Sequence, residues 1–122
     1  MTEYLDLEEL LQLCRDLGDP LVRDIGLLHA AAERPSTSLY GRDAYPGVHD
    51  KAAALMQSLA RNHALDDGDK RLCWLAVVVF YGLNDIDIDA PADDAHDLVI
   101  EVSTLVADLP DIARRLAVWC AP

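Results

Sequence analysis

The chain has 122 residues, about half of them hydrophobic, and its 22 acidic against 10 basic side chains give a formal charge of −12. That length suits one domain, residues 1–122, with a core large enough to hold without staples. So acidic a surface repels phosphate backbones, which excludes nucleic acid as a direct partner and favours a basic protein segment.

The first nine residues are acidic and lack the positive stretch of a signal peptide. Asp6 then caps a first helix to about Leu17. Leu7, Leu10, Leu11 and Cys14 recur on one face, and Gly18 stops it. Asp19 is read as the cap of a second helix with Pro20 at its first position. Val22, Ile25, Leu28 and Ala32 mark its buried side, and Pro35 ends it. Residues 35–47 hold Ser36, Thr37, Ser38, Gly41, Pro46 and Gly47 around Leu39, Tyr40 and Tyr45. They read as a loop, or a short hairpin turning at Gly41 to Asp43. On composition this stretch is either an ordinary surface connector or a functional loop.

A third helix is expected over residues 48–62, with Ala52, Leu55, Met56 and Leu59 on one face. Residues 63–69 break the pattern. Residues 70–81 are apolar on almost every side, which points to a helix in the centre of the domain. The run Val77-Val78-Val79-Phe80 would also suit a buried strand. The longest apolar run, residues 72–81, is about half of what a membrane span needs, so no membrane partner is expected. Asp85, Asp87 and Asp89 alternate with Ile86 and Ile88. Ala90 and His96 stand where a calcium loop needs Gly and Glu, so the reading is an extended segment with one solvated face. Two further helices are expected over residues 92–108 and 110–119. Trp74 and Trp119 read as core. His29, His49 and His96 have no metal-ligand spacing with another His or Cys. Cys14, Cys73 and Cys120 lack paired spacing and lie in apolar stretches, which suggests buried reduced thiols and a cytoplasmic protein. The fold class is all-α, a compact bundle of about six helices with one short loop or hairpin.

The polar break gathers His63, Asp66, Asp67, Gly68, Asp69, Lys70 and Arg71 between two apolar helices. Gly68 permits a sharp turn and close approach of a ligand. A helix starting at about Asp69 aims its free N–H groups and dipole into the loop, which makes an anion site. Lys70 and Arg71 on the first turn oppose that dipole, so their presence makes sense if an anion such as phosphate binds there. Asp67 is a hard oxygen ligand for magnesium. His63 is the obvious proton acceptor, since imidazole titrates near neutral pH. These are the parts of phosphoryl or nucleotidyl transfer. The plain alternative is a solvated loop in which Lys70 and Arg71 pair with Asp66, Asp67 and Asp69.

At these residues the chain resembles the Fic/Doc family, whose loop has the form H-x-F-x-D-G/A-N-K/G-R between two helices. Here it reads His63-x-Leu65-x-Asp67-Gly68-Asp69-Lys70-Arg71, preceded by Asn62. Tyr45-Pro46, then Lys51-Ala52-Ala53 and Leu59-Ala60-Arg61-Asn62-His63, resemble the death-on-curing branch, and the likeness spans nearly the whole chain. Fic proteins usually transfer AMP from ATP to a protein hydroxyl. Members with Lys where most have Gly, here Lys70, resemble toxins that transfer the terminal phosphate instead, to elongation factor Tu, and stop protein synthesis. The Lys side chain fills space that Gly leaves open, so the nucleotide presents another phosphorus.

The resemblance implies ATP and magnesium as cofactors, His63 as base and Asp67 as metal ligand. It implies Asn62, Gly68, Asp69, Lys70 and Arg71 around the nucleotide phosphates. The loop at residues 36–45, with Ser38, Leu39 and Tyr40, would be a flap laying the target segment over the site. It also implies a Phd-like antitoxin whose C-terminal segment folds into a groove of the toxin; the antitoxin would be the DNA-binding partner. Two positions depart from the family. Asp69 replaces Asn, which leaves a catalytically degenerate homologue as an alternative, beside AMP transfer. Leu65 replaces Phe and keeps the apolar anchor.

Overall fold

The computed structural model describes residues 1–121 and shows six helices and one small hairpin. In chain order these are α1 (Leu7–Asp16), α2 (Ile25–Glu33), a 3₁₀ turn (Arg34–Ser36), β1 (Ser38–Leu39), β2 (Arg42–Asp43), α3 (Val48–Arg61), α4 (Asp69–Leu83), α5 (Ala92–Ser103) and α6 (Leu109–Trp119). The all-α bundle expected from the periodicity is what the chain forms. Among the described residues, no helix is long and apolar enough to cross a membrane.

The first helix starts as its residues dictate. The Asp6 carboxylate accepts from Glu9 N–H at 2.8 Å, Glu9 reaches back to Asp6 N–H, and Gly18 follows with a left-handed φ of 97°. The second departs from expectation. Asp19 does not cap it but takes a left-handed φ of 58°, and Asp24 caps α2 instead, accepting from Leu27 N–H at 3.1 Å. The physical reason is tertiary. Residues 20–24 stay extended because their backbone groups are used elsewhere. Arg23 and Asp24 N–H donate to Ala64 O, Asp66 N–H donates to Leu21 O, and Val22 bridges Leu65. A helix starting at Pro20 would consume those groups internally. Ile25, expected on the buried side, is exposed for the same reason.

The centre of the bundle is α3, not α4. Residues 51–56, Leu59 and Ala60 of α3 are buried, and the helix packs against α2, α4, α5 and α6. Ala52, Ala53, Ala54 and Ala60 let neighbours approach its backbone from several sides. In α4 only Leu72, Cys73, Ala76, Val77, Phe80 and Tyr81 are buried. Trp74, Leu75 and Val78 are half-buried and line an apolar groove of about 700 Å³ with Leu17, Ala92, Ala95 and Val99. Trp74 and Trp119 therefore sit at the edge of the core, edge-on to each other at 6.2 Å.

The hairpin turns at Tyr40-Gly41, one residue earlier than expected, with Ser38 opposite Asp43 and Leu39 opposite Arg42. Both turn residues have positive φ, 52° and 77°, the geometry that matches strand twist in a two-residue loop. The acidic alternation after α4 is extended, as read: Ile88 bridges Cys120, Asp89 N–H donates to Trp119 O, and Asp85, Asp87 and Asp89 face outward. The fifth helix stops at Ser103, short of the expected Asp108. Leu105 takes a φ of 68°, Val106 and Ala107 N–H turn back to Glu101 O, and Asp108 caps α6. Cys14 and Cys73 are buried thiols whose pKa burial pushes up; Cys120 is half-buried, and none of the three is in a disulfide.

Candidate functional site

The loop between α3 and α4 is held from both sides before any ligand is considered. Asn62 ends α3 and donates its side-chain amide to Leu27 O at 2.9 Å, while its carbonyl oxygen accepts from Ala64 N–H at 3.3 Å. Ala64 and Leu65 are buried, and Leu65 is 1 % exposed, so the apolar anchor is retained with Leu. The bonds from residues 21–24 complete the clamp. A backbone so fixed supports His63 at a left-handed φ of 55°, a conformation that costs free energy in a non-glycine residue. Its consequence is that the imidazole stands out of the loop, 71 % exposed.

Gly68 follows with a φ of 94°, and α4 starts without a side-chain cap. The N–H groups of Gly68, Asp69, Lys70 and Arg71 have no protein acceptor among the described residues. By contrast, α1, α2 and α6 are each capped by an Asp. Lys70 and Arg71 are exposed, and neither joins an ion pair among the described residues, so the surface pairing with Asp66, Asp67 and Asp69 does not form. Arg71 folds over the glycine: a Cβ on Gly68 would lie 3.3 Å from its Nη2.

His63, Asp67, Gly68, Asp69, Lys70 and Arg71 meet in one cleft of about 610 Å³. Its opposite wall is the end of α5, Ile100, Ser103 and Thr104, which the sequence reading missed. No local signal marks them. They are ordinary residues of an amphipathic helix, some thirty positions from the loop, and only packing brings them opposite it.

Two side chains are turned away from phosphate contact. Asn62 is spent on Leu27 and Ala64 and does not line the cleft. Asp69 turns its carboxylate inward, accepting from Leu65 N–H at 3.1 Å, with its other oxygen 3.8 Å from His63 Nδ1. Ser38, Leu39 and Tyr40 form the exposed hairpin and do not line the cleft either.

Burial raises the Asp69 carboxyl above its ordinary value, against the opposing Leu65 N–H bond and the charges of His63, Arg23 and Lys70. The folded chain therefore holds that proton more tightly than the unfolded chain. The contribution of Asp69 to stability is greatest below its unfolded value and falls as pH rises through the interval up to the folded value. Above that interval the desolvation cost stands in full. Asp69→Asn removes the charge and keeps an acceptor for Leu65 N–H, so Tm at pH 7 should rise by a few degrees, with no such gain at pH 3. A lower Tm at pH 7 would show that the carboxylate itself holds the loop.

The cleft offers a cation one hard carboxylate. Asp67 is exposed and unpaired, and no group of three His, Cys, Asp or Glu side chains clusters among the described residues. Magnesium uses one or two protein carboxylates and takes its other ligands from phosphates and water. The cleft thus offers an exposed imidazole, one hard carboxylate, free backbone N–H groups and two unpaired cations. That combination is able to bind a polyphosphate and accept a proton beside it.

The model of the family described as "Fic/DOC family" matches residues 4–81. The chain is 50% identical over 125 residues to "Toxin Doc" of Mycolicibacterium smegmatis (strain ATCC 700084 / mc(2)155), an alignment that covers 99% of this chain and 96% of that protein.

Proposed function

The chain belongs to the Fic/Doc family, and on that premise we propose that it is the toxin of a toxin–antitoxin module, a kinase-type phosphotransferase that moves the terminal phosphate of ATP to a hydroxyl of elongation factor Tu and so arrests protein synthesis. The observation that carries this reading is the start of α4. Among the described residues, Lys70 and Arg71 stand unpaired on its first turn, beside uncapped N–H groups, in one cleft with His63 and Asp67.

In that arrangement the N–H groups of residues 68–71, with Lys70 and Arg71, hold the phosphates and offset charge in the transition state. Asp67 would hold magnesium, which supplies charge neutralisation between phosphates when bound. His63 accepts the proton of the target hydroxyl. The target oxygen bonds to the γ-phosphorus, the bond from that phosphorus to the bridging oxygen breaks, and ADP leaves with the electron pair. Asn62 and Asp69 contribute by holding the loop's shape. The exposed Ser38, Leu39 and Tyr40 edge suits an extended target segment, which adds main-chain bonds to a short hairpin.

The apolar groove beside α4 supports an antitoxin partner. Trp74, Leu75, Val78 and Val99 offer the kind of surface into which an amphipathic segment folds, and the acidic chain favours a segment with basic residues.

The test is transfer from ATP labelled in parallel on the γ- or the α-phosphorus, with magnesium and elongation factor Tu. Label from the γ position alone is expected. Label from the α position would make the chain an AMP transferase of the general Fic kind. Transfer from neither, with folded protein, would mean another target or a homologue that only binds its antitoxin.

A further inference from the structure

Lys51 is the one charged residue buried among the described residues, 2 % exposed on the first turns of α3. A buried ammonium is costly unless its donors are met. Here they are met by the hairpin. Nζ donates to Asp43 Oδ2 of β2 at 3.1 Å and to the Tyr45 carbonyl just beyond it, and it lies 5.8 Å from the centre of the Tyr4 ring.

The hairpin has little else to place it. All four strand residues are exposed, so burial does not seat them on the bundle. A two-stranded hairpin of this length is not stable by itself. Its internal ties are the two facing pairs and the Ala44 N–H bond to Thr37 O at 2.8 Å. Its entry is anchored by Arg34, which donates to Tyr45 Oη at 2.9 Å and to Ser58 Oγ at 3.1 Å. Among the described residues, only Lys51 makes a side-chain hydrogen bond to a strand residue, and Asp43, the residue it grips, faces Ser38 across the hairpin.

We infer that Lys51 is a positioning residue for the protein substrate: its bonds to Asp43 and Tyr45 fix the Ser38–Leu39 edge on the bundle, and thereby the registration of an extended segment of the target. The inference rests on the proposed transfer reaction for its kinetic consequence but not for its structural one. Charge on residue 51 matters to the hairpin, whereas the bundle needs only that the volume be filled.

The test compares the full chain with Lys51→Met, which fills the same space without charge, and Lys51→Arg. In Lys51→Met, hydrogen exchange at Ala44 N–H should speed at least tenfold while amides of α3 and α4 keep their protection. KM for elongation factor Tu should rise about tenfold, with kcat and KM for ATP within threefold of the unaltered chain. Lys51→Arg should restore much of the lost affinity. Unchanged exchange at Ala44, or an equal fall in every kinetic parameter, would overturn the proposal. Should Lys51→Met not fold, Asp43→Ala removes the same bond from its exposed end, 54 % accessible, and should raise KM for the target about threefold; an unchanged KM there would overturn it as well. An unaltered chain that phosphorylates no target would sink the transfer reading alone, and Ala44 exchange would then decide the role of Lys51.

Discussion

Replacing His63 with Ala should lower phosphate transfer by about 10²- to 10⁴-fold, the usual worth of a positioned general base, and abolish growth arrest by the expressed protein. His63 combines exposure with fixation: its ring is largely open to solvent, while its backbone is held in a left-handed conformation by bonds to the residues beside it. A side chain that merely capped or packed would not need that arrangement. Because Ala at a positive φ adds strain of its own, His63→Asn is the sharper variant, since Asn tolerates this region far better. The two variants should lose transfer equally and differ in stability. Growth arrest by a folded His63→Asn protein would remove the imidazole from the mechanism.

The second large effect is expected at Arg71. Removing one preorganised donor from a developing anionic centre costs about 10²- to 10³-fold in rate, so Arg71→Ala should lose that much transfer. Stability should move the other way or not at all. A cation on the first turn opposes the helix dipole, by about 0.3–1 kcal/mol at an exposed site, and Arg71 has no ion pair to lose among the described residues. A variant that is inactive yet as stable as the original, or more so, identifies a residue kept for function. Comparable losses of activity and Tm would instead mean that Arg71, folded over Gly68, serves as a clasp of the loop.

That the loop's polar residues gather in one place was legible because they are neighbours in the chain. His63, Asp67, Gly68, Lys70 and Arg71 lie within nine positions, and a helix beginning at Asp69 necessarily aims its free N–H groups back among them. Proximity alone does not say where the side chains of two neighbours turn. Asn62 and Asp69 belong to the same motif, yet each spends its side chain on the backbone of the loop. A sequence records which polar groups are close; it does not record which of them another segment has already satisfied.

That same limit explains the errors along the chain. Asp19-Pro20 is a sound helix start by local rules, and a distant pairing overrode it: residues 21–24 bond to Ala64 and Asp66, forty or more positions away. Likewise, α4 reads as the more hydrophobic helix, but the alanines of α3 allow closer packing, so α3 takes the centre and α4 keeps a half-buried apolar face. By itself, then, the sequence determined the all-helical class, most helix faces, the place of a loop or short hairpin and the residues of the cleft's first wall. Those follow from period, caps and turn residues, which act over a few positions. Only the tertiary structure decided where α2 begins, that the end of α5 closes the cleft, and that a lysine on a buried helix face reaches out to hold the hairpin. Each of those depends on which polar groups meet across the fold, and burial leaves no polar group free to stay unmet.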